Sequence, residues 1–288
     1  RKSSLINKVI VLGGAGFLGS HIIRSLKKKS EIHVTYGDIK ENRSLKCKFI
    51  YFNILDKEGA HSFLSNYDTV INCTGQISKP INLCFMINSK GLLGLSSNKH
   101  LKDTRFIHIS TVSVYGSAKL CDENSNLNPE TAYAMSKAFS EKILSKNFKS
   151  NKLVILRLPN LYGYKQKKGI FSYLLKSYRT NQKLDFNNNG SLYRSYIHAE
   201  DCSEIICSIV QNSKIEGTFN IVGNEEITVK SLIKNIEQEF NIVFKKTFKI
   251  DNPWENIEKL DGSRLKSLIK YDYKWNIIKF FKRELSKN

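Results

Sequence analysis

The sequence has little proline and no long apolar segment. Four prolines occur in 288 residues, and no stretch rich in proline or serine separates one part of the chain from another, so we expect fused parts rather than tethered ones. No apolar run reaches the roughly 18–20 residues of a membrane-spanning helix. Glycine interrupts the apolar run near the start, so we do not expect a signal peptide. We therefore expect a cytoplasmic protein that does not interact with membranes.

Cysteines with metal-binding or redox spacing are also missing. The six cysteines are scattered, and they form neither a Cys-x-x-Cys pair nor a zinc site with a neighbouring histidine. Cys73 and Cys207 lie in apolar runs, where a buried, reduced thiol is the ordinary state. We expect no metal site and a reducing compartment.

Acidic residues are few relative to basic ones. The 46 Lys and Arg residues against 26 Asp and Glu give a net charge of +20. Such a surface attracts polyanions, whether nucleic acid, an anionic membrane or a phosphorylated small substrate. Lysines spread over solvent-exposed faces would give the same net charge, so the charge alone does not identify a binding partner. The 41% hydrophobic content does exclude a disordered or fibrous protein.

Short apolar runs alternate with helical patterns through the first two-thirds of the chain. Because parallel strands need helical crossovers, this alternation predicts an α/β fold with a doubly wound parallel sheet. The predicted strands are Val9–Leu12, Ile32–Tyr36, Lys48–Phe52, Thr69–Cys73, Arg105–Ile109 and Val154–Leu158, and the predicted helices cover 21–29, 57–66, 83–99 and 134–148.

A glycine-rich turn follows the first predicted strand. Residues 13–19 read Gly-Gly-Ala-Gly-Phe-Leu-Gly, which fits both G-x-G-x-x-G and G-x-x-G-x-x-G, and they open a helix. Glycines there permit a tight turn and close approach of the backbone to a pyrophosphate, which the helix N-terminus then binds through its N–H groups. A strand, this turn and a helix in succession predict a dinucleotide site.

Asp38 indicates which dinucleotide binds. It lies 19 residues after Gly19, directly after the second predicted strand. A carboxylate there accepts hydrogen bonds from the adenosine ribose and repels a 2′-phosphate, which favours NAD over NADP. Lys40 and Arg43 stand nearby and leave NADP open.

Beyond Gly163 the pattern changes. Residues 165–193 are polar, and 224–288 give a helix around 228–240 and a strand over Ile242–Ile250. We predict a Rossmann-type dinucleotide-binding domain over 1–163 plus about 195–223. A smaller substrate-binding domain then covers about 164–194 and 224–288.

Tyr133 and Lys137 form a candidate proton-transfer pair. Four residues apart, they share one face of a predicted helix. A nearby ammonium favours the phenolate and so lowers the tyrosine pKa, which lets the phenol act as a general base toward a hydroxyl or as an acid toward a ketone. The spacing is common by chance. Here it follows a predicted strand that ends in the hydroxyl cluster of Ser110, Thr111 and Ser113.

With these motifs the chain closely resembles the extended short-chain dehydrogenase/reductase family of nucleotide-sugar epimerases, dehydratases and reductases. Three further segments resemble family motifs in the right order, namely Asn88-Ser-Lys-Gly91, Arg157-Leu-Pro159-Asn160-Leu-Tyr162-Gly163 and Arg194-Ser-Tyr196-Ile-His198-Ala-Glu-Asp201.

The resemblance implies a set of site residues, with Arg194 holding the substrate diphosphate. The catalytic residues would be Thr111, Tyr133 and Lys137, the cofactor-binding residues Gly13, Gly16, Phe17, Leu18, Gly19, Asp38, Asn53, Ile54, Thr74 and Pro159, and the substrate-binding residues Asn88, Asn160 and Arg194. It also implies a homodimer and a place in polysaccharide biosynthesis.

Departures from the family pattern bear on the reaction. The Asp-Glu pair with which the family's 4,6-dehydratases eliminate water is replaced by Val112 and Ser113, so we do not expect dehydration. We predict hydride transfer at hexose C4 of a nucleotide-diphosphate sugar. Asp38 favours an NAD-retaining 4-epimerase, and the short substrate domain favours a 4-keto-6-deoxyhexose reductase. A non-catalytic dinucleotide- or RNA-binding module is a remote third reading, and we do not expect a nucleic-acid partner.

Overall fold

Runs of β-branched and other apolar residues form the strands, since such side chains pack well on a pleated surface. A computed structural model describes residues 7–57, 60–75, 79–250 and 254–287. In chain order the strands are β1 (Asn7–Leu12), β2 (Ile32–Asp38), β3 (Lys48–Tyr51), β4 (Thr69–Asn72), β5 (Arg105–Thr111), β6 (Ala118–Cys121), β7 (Leu153–Leu158), β8 (Asn160–Tyr162), β9 (Leu184–Phe186), β10 (Tyr193–His198), β11 (Gly217–Asn220), β12 (Glu225–Thr228), β13 (Lys246–Phe248) and β14 (Ile257–Leu260).

Helices connect these strands. In the portions of the chain that the structure describes, every helix is too short or too polar to cross a bilayer. A π-helical turn, Ile87–Gly91, separates the second helix from the third. In chain order the α-helices are α1 (Phe17–Leu26), α2 (Ile81–Met86), α3 (Leu92–Ser96), α4 (Ala132–Asn147), α5 (Ile170–Thr180), α6 (Ala199–Gln211), α7 (Val229–Phe240), α8 (Ser263–Lys266) and α9 (Ile277–Leu285).

The central sheet has seven parallel strands in the order β3-β2-β1-β4-β5-β7-β11. The order runs one way from β1 to β3 and the other way from β4 to β11, as in a doubly wound Rossmann-type sheet. The predicted fold class is confirmed. The six strands predicted before residue 160 are present within a residue or two of their predicted ends.

Side chains of the central strands alternate between two apolar cores, one on each face of the sheet. Val9 and Val11 of β1 pack in the core that holds α1 and α6. Ile10 and Leu12 of the same strand pack in the opposite core, which includes residues of α3 and α4. Both faces of the sheet are therefore covered, which explains why these strands read as continuous apolar runs rather than as alternating ones.

A further apolar core lies in the later part of the chain. It joins α5, α7 and α9 with β9 and β10, and Phe171, Leu232 and Phe280 are among its fully buried members. Three small sheets accompany it, with strand orders β12-β10-β8, β13-β9 and β14-β6. Every strand of the seven-stranded sheet lies within 1–163 or 195–223. The division into two domains stays a prediction.

Three predicted elements differ from the structure. The predicted helix over 57–66 is only a 3₁₀ turn, Ser62–Asn66, with positions 58–59 outside the described residues. The predicted helix over 83–99 contains the π-helical turn and ends at Ser96, and Gly91 in that turn lies close to Ile54. The predicted strand over 242–250 is limited to β13, since its partner β9 offers three residues for pairing.

A buried arginine ties the central sheet to the end of α6. Arg105 begins β5 and is 8% exposed. Its Nη1 donates to the carbonyls of Ile209 (2.9 Å) and Val210 (3.2 Å), and its Nη2 donates to those of Asn212 (3.0 Å) and Ile215 (2.8 Å). One side chain thus binds four carbonyls of the last turn of α6 and of the residues just after it, where intrahelical partners are few.

We expect Arg105→Ala to lower the free energy of unfolding by about 3 kcal/mol, because hydrogen bonds to a charged group contribute about 1.5–3 kcal/mol each and the carbonyls stay buried. Urea denaturation followed by circular dichroism measures the change. Arg43→Ala is the control, since that side chain is 90% exposed. Equal stabilities of the two variants would contradict this account of Arg105.

Candidate active site

A cleft of about 1520 Å³ opens at the carboxyl ends of the central strands. Its walls include the ends of β1, β2, β4, β5 and β7, and it runs on to α5, β9 and β10. The strand order reverses between β1 and β4, which is where open α/β sheets form their ligand crevices.

The glycine-rich turn forms one wall of this cleft, at the N-terminus of α1. Gly13 has a φ of +74°, a conformation that favours glycine. A β-carbon on Gly19 would collide with the carbonyl oxygen of Gly13 and lie 2.8 Å from Cα of Gly14. The turn therefore brings bare backbone and the first N–H groups of α1 to the cleft, and these fit a dinucleotide pyrophosphate.

Asp38 stands beside the glycine-rich turn, at the end of β2. Its Oδ2 accepts a hydrogen bond from the Ala15 N–H (3.0 Å) and its Oδ1 one from the Lys40 N–H (3.3 Å). These bonds fix the carboxylate on the cleft wall, next to Asn53 and Ile54. A fixed negative charge there suits ribose hydroxyls and disfavours a 2′-phosphate.

Thr111 and Tyr133 line the cleft where β5 ends and α4 begins. The Thr111 hydroxyl oxygen accepts a hydrogen bond from the Ser113 N–H (3.2 Å), which leaves its O–H as a donor. Tyr133 lies in the first turn of α4, and Thr131 caps that turn by accepting from the Ala134 N–H (3.2 Å).

Lys137 lies behind the cleft wall, one helical turn after Tyr133. It is 0% exposed, and its Nζ donates to the carbonyl of Ile109 at 2.7 Å. Burial lowers the pKa of Lys137 to about 8, and Glu141 opposes this shift. The ammonium is therefore close to its titration range near neutral pH.

The tyrosine itself shows a shift of the opposite sign to the one that the Tyr-x-x-x-Lys spacing predicts. Burial raises the pKa of the Tyr133 phenol, and Cys84 and Glu255 add smaller contributions in the same direction. The physical reason is desolvation of the phenolate, which the sequence spacing does not reveal.

Asn88 lies behind the cleft wall rather than in it, and its role in substrate binding stays a prediction. It is 1% exposed. Its Nδ2 donates to the Gly75 carbonyl (3.2 Å) and to Ser136 Oγ (3.0 Å), and Ser140 Oγ donates to its own carbonyl (2.7 Å). Asn88 thus fastens the cleft wall to α4.

Four further residues of the predicted site also lie at the cleft. Thr74, Pro159, Asn160 and Arg194 line the cleft. Thr74 donates to Asn72 Oδ1 (2.6 Å), so its hydroxyl proton is engaged within the wall. Arg194 faces the cleft while its Nη1 and Nη2 donate to the backbone carbonyls of residues 255 (2.5 Å) and 254 (3.2 Å).

Sequence reasoning missed much of the wall at the end of the cleft that the later part of the chain forms. Many of these side chains are apolar or aromatic and are partly or fully buried, so their periodicity marks them only as core. The loop 164–168, which carries three exposed lysines, also reaches the cleft. The missed aromatic and aliphatic wall residues include Leu83, Ile87, Tyr173, Phe186, Leu192 and Tyr196.

Taken together, the cleft offers a backbone cradle for a pyrophosphate at one end and a hydroxyl pair, Thr111 and Tyr133, at the other. In the described ranges, no three His, Cys, Asp or Glu side chains form a group that could hold a metal ion. Proton transfer at an alcohol or carbonyl oxygen is the chemistry that these side chains can perform.

Comparison with known proteins agrees with this geometry. Residues 9–222 match the model of the NAD-dependent epimerase/dehydratase family. The dTDP-D-glucose 4,6-dehydratase of Dictyostelium discoideum is 29% identical over 80% of this chain, and the chain spans 62% of that protein's length. An uncharacterised UDP-glucose epimerase of Bacillus subtilis is 27% identical over 80% of this chain and 81% of its own.

A solved structure also resembles the chain over nearly its whole length. The UDP-glucuronic acid 4-epimerase of Bacillus cereus, in complex with UDP-glucuronic acid and NAD, is 25% identical, with a TM-score of 0.84 over 97% of this chain and 98% of its own. NAD, the cofactor that Asp38 favours, is thus the one bound in that enzyme.

We expect Gly19→Ala to lower the affinity for NAD by at least about tenfold, equivalent to about 1.4 kcal/mol, because the added β-carbon displaces the turn. Isothermal titration calorimetry measures the affinity. Gly94→Ala is the matched control, since a β-carbon at Gly94 meets nothing within 4 Å and alanine favours a helix. Unchanged affinity in Gly19→Ala would contradict the assignment of the turn.

Proposed function

Since the chain belongs to the NAD-dependent epimerase/dehydratase family, we propose that it epimerises the hexose of a nucleotide-diphosphate sugar at C4, with NAD as its cofactor. The observation that carries this proposal is the placement of Thr111 and Tyr133 together in one cleft with the glycine-rich turn and Asp38. A proton-transfer pair beside a dinucleotide cradle is what oxidation and reduction of a carbinol require.

In this proposal each side chain at the reacting end has one task. Tyr133 exchanges a proton with the sugar 4-oxygen. Thr111 donates a hydrogen bond to the same oxygen and stabilises the charge that develops there. Lys137 holds the nicotinamide ribose and, while protonated, favours the phenolate of Tyr133. Bound NAD supplies the hydride chemistry, which no side chain can provide.

Two neighbouring positions favour epimerisation over the dehydration that curated relatives of the chain perform. Val112 packs against an apolar cluster that includes Tyr115 and Ile257, and Ser113 lines the cleft. Neither side chain carries a carboxyl group that could remove a proton and protonate a leaving hydroxyl. At the cleft-lining position next to the reacting centre, Ser113 thus offers a neutral hydroxyl in place of a carboxyl group.

The substrate diphosphate has cationic partners in the later part of the cleft. Arg194 faces the cleft beside Asn160, and the exposed Lys165, Lys167 and Lys168 lie on the loop before α5. A guanidinium and several ammonium groups suit a diphosphate. These contacts support a nucleotide-diphosphate sugar as the substrate.

Two further features concern assembly and location. We also propose a homodimer that forms through α2, α3 and α4, since these helices pack together and share an exposed apolar patch of large side chains. The patch comprises Ile81, Phe85, Met86, Leu93, Met135 and Phe139.

All six cysteines are free thiols, which supports a reducing compartment such as the cytoplasm.

The cofactor released on denaturation distinguishes the proposed epimerase from a reductase. An epimerase regenerates its cofactor in each turnover, so purified protein should release stoichiometric NAD, identified by chromatography and mass spectrometry. A site that exchanges NADPH freely would indicate a 4-keto-6-deoxyhexose reductase instead. No affinity for either dinucleotide would overturn the proposal.

We expect Tyr133→Phe to lower turnover by about 10²–10⁴-fold, the usual contribution of a general acid–base group, with little change in NAD affinity. Proton NMR of UDP-, dTDP- and GDP-hexoses after incubation measures the interconversion of C4 epimers. Tyr178→Phe is the control, since this tyrosine is 40% exposed on α5. Full activity of Tyr133→Phe would contradict the mechanism.

We expect Phe139→Glu, which places a charge in the exposed apolar patch, to convert dimers into monomers at micromolar concentration, because burying an unpaired carboxylate is unfavourable. Sedimentation velocity measures the assembly. Val243→Glu, at a side chain that is 87% exposed outside the patch, should leave the dimer intact. A wild-type protein that sediments as a monomer would refute this interface.

A further inference from the structure

Three polar side chains stand side by side on neighbouring strands just behind the cleft. Ser110 of β5 is in register with Arg157 of β7, and Arg157 is in register with Asn220 of β11. Their exposed fractions are 1%, 6% and 0%. Buried polar groups need partners, because an unpaired one costs free energy.

Glu141 of α4 accepts hydrogen bonds from two of these side chains, Ser110 and Arg157. Its Oε1 accepts from Ser110 Oγ (2.5 Å) and Arg157 Nε (3.1 Å), and its Oε2 accepts from Arg157 Nη2 (2.7 Å). The other guanidinium nitrogen donates to the Tyr115 hydroxyl (2.8 Å), which in turn donates to Asn220 Oδ1 (2.7 Å). Both oxygens of the carboxylate are therefore held against the sheet.

The same carboxylate lies one helical turn after Lys137, on the same face of α4. The Lys137 ammonium donates to the carbonyl of Ile109 (2.7 Å), which is the residue before Ser110. Lys137 and Arg157 are both buried. The Glu141 carboxylate is thus paired with Arg157 and also acts through its charge on Lys137.

Other titratable groups also face Lys137. Burial raises the pKa of Cys73 to about 12 and lowers the pKa of His108 well below its ordinary range, so both are neutral near neutral pH. Burial raises the pKa of Tyr133 as well, and Cys84 of α2 is a buried thiol. From α4, α2, β5 and the end of β4, the groups that act on Lys137 are Glu141, Cys84, His108 and Cys73.

We infer that Glu141 is a positioning residue for catalysis: its charge keeps Lys137 protonated, and Arg157 and Ser110 hold the Glu141 carboxylate in place. The inference rests on the proposed function, in which Lys137 binds the nicotinamide ribose as an ammonium ion. Glu141 itself does not touch the reacting atoms.

The role of Glu141 is electrostatic. Without the charge of Glu141, two like charges are left in the interior with no counterion, which is unfavourable. Arginine does not release its proton in proteins, so the strain is relieved at Lys137, whose pKa then falls. Loss of Arg157 has the opposite effect, because Ser110 still holds the carboxylate and Lys137 becomes its remaining cationic neighbour.

The experiment compares the pH dependence of NADH binding in wild type and Glu141→Gln. NADH fluorescence titrations between pH 6 and pH 10 report the affinity and need no sugar substrate. We expect the wild-type affinity to fall with a midpoint near pH 8, as Lys137 loses its proton. The midpoint of Glu141→Gln should be lower by about one pH unit, the smaller end of the effect of a neighbouring charge.

Arg157→Gln tests the opposite shift: the midpoint of its NADH-binding curve should move to higher pH. Damage to the fold alone would weaken binding in both variants without opposite shifts. Glu237→Gln is the matched control, because it removes a half-buried carboxylate whose partner, Lys246 (2.5 Å), lies away from the cleft. This variant should lose stability and keep the wild-type midpoint.

The outcomes separate this inference from the proposed function. Equal midpoints in wild type, Glu141→Gln and Arg157→Gln would overturn the inference and leave the proposed function standing. If neither variant folds, Glu141 and Arg157 act in folding rather than in positioning Lys137, and the inference is overturned as well. A wild type that does not bind NADH would refute the proposed function and this inference with it.

Discussion

Parallel pairing of the strands is the constraint on which the rest of the structure depends. When all strands run in one direction, their carboxyl ends meet at one edge of the sheet, and the helical crossovers cover both faces. The reversal of order between β1 and β4 separates the crossover helices at that edge and leaves a cleft. The glycine-rich turn, Asp38 and Thr111 therefore meet in space although they are far apart in the sequence.

Burial then determines the chemistry of the groups next to that edge. Strands covered on both faces place the side chains behind the cleft in an apolar interior, where charge is unfavourable unless it is paired. Lys137 accordingly titrates near pH 8, and Arg157 requires a counterion of its own. The same scaffold that assembles the cleft thus sets the protonation of the groups that support it.

Local motifs explain which parts of the site could be predicted from the sequence. The glycine-rich turn and Asp38 depend on a few adjacent residues and their distance from a strand, so the sequence alone places them correctly. The π-helical turn, the inward position of Asn88 and the raised pKa of Tyr133 depend on what packs against them from distant segments. Periodicity carries no information about such neighbours, and it also cannot separate a core aromatic from one that lines a cleft, as at Tyr196.

The π-helical turn between α2 and α3 changes the phase of a helix surface. Successive residues of an α-helix are about 100° apart around its axis, so Leu93 would lie about 80° from Phe85 on an uninterrupted helix. A π-helical turn accommodates one additional residue, which brings Leu93 to within about 20° of Phe85. Both side chains are exposed, by 46% and 39%, and they therefore share one stripe. The extra residue thus rotates the helix surface that follows it about the helix axis. Deleting this residue would turn Leu93 away from Phe85 and divide a continuous apolar surface into two.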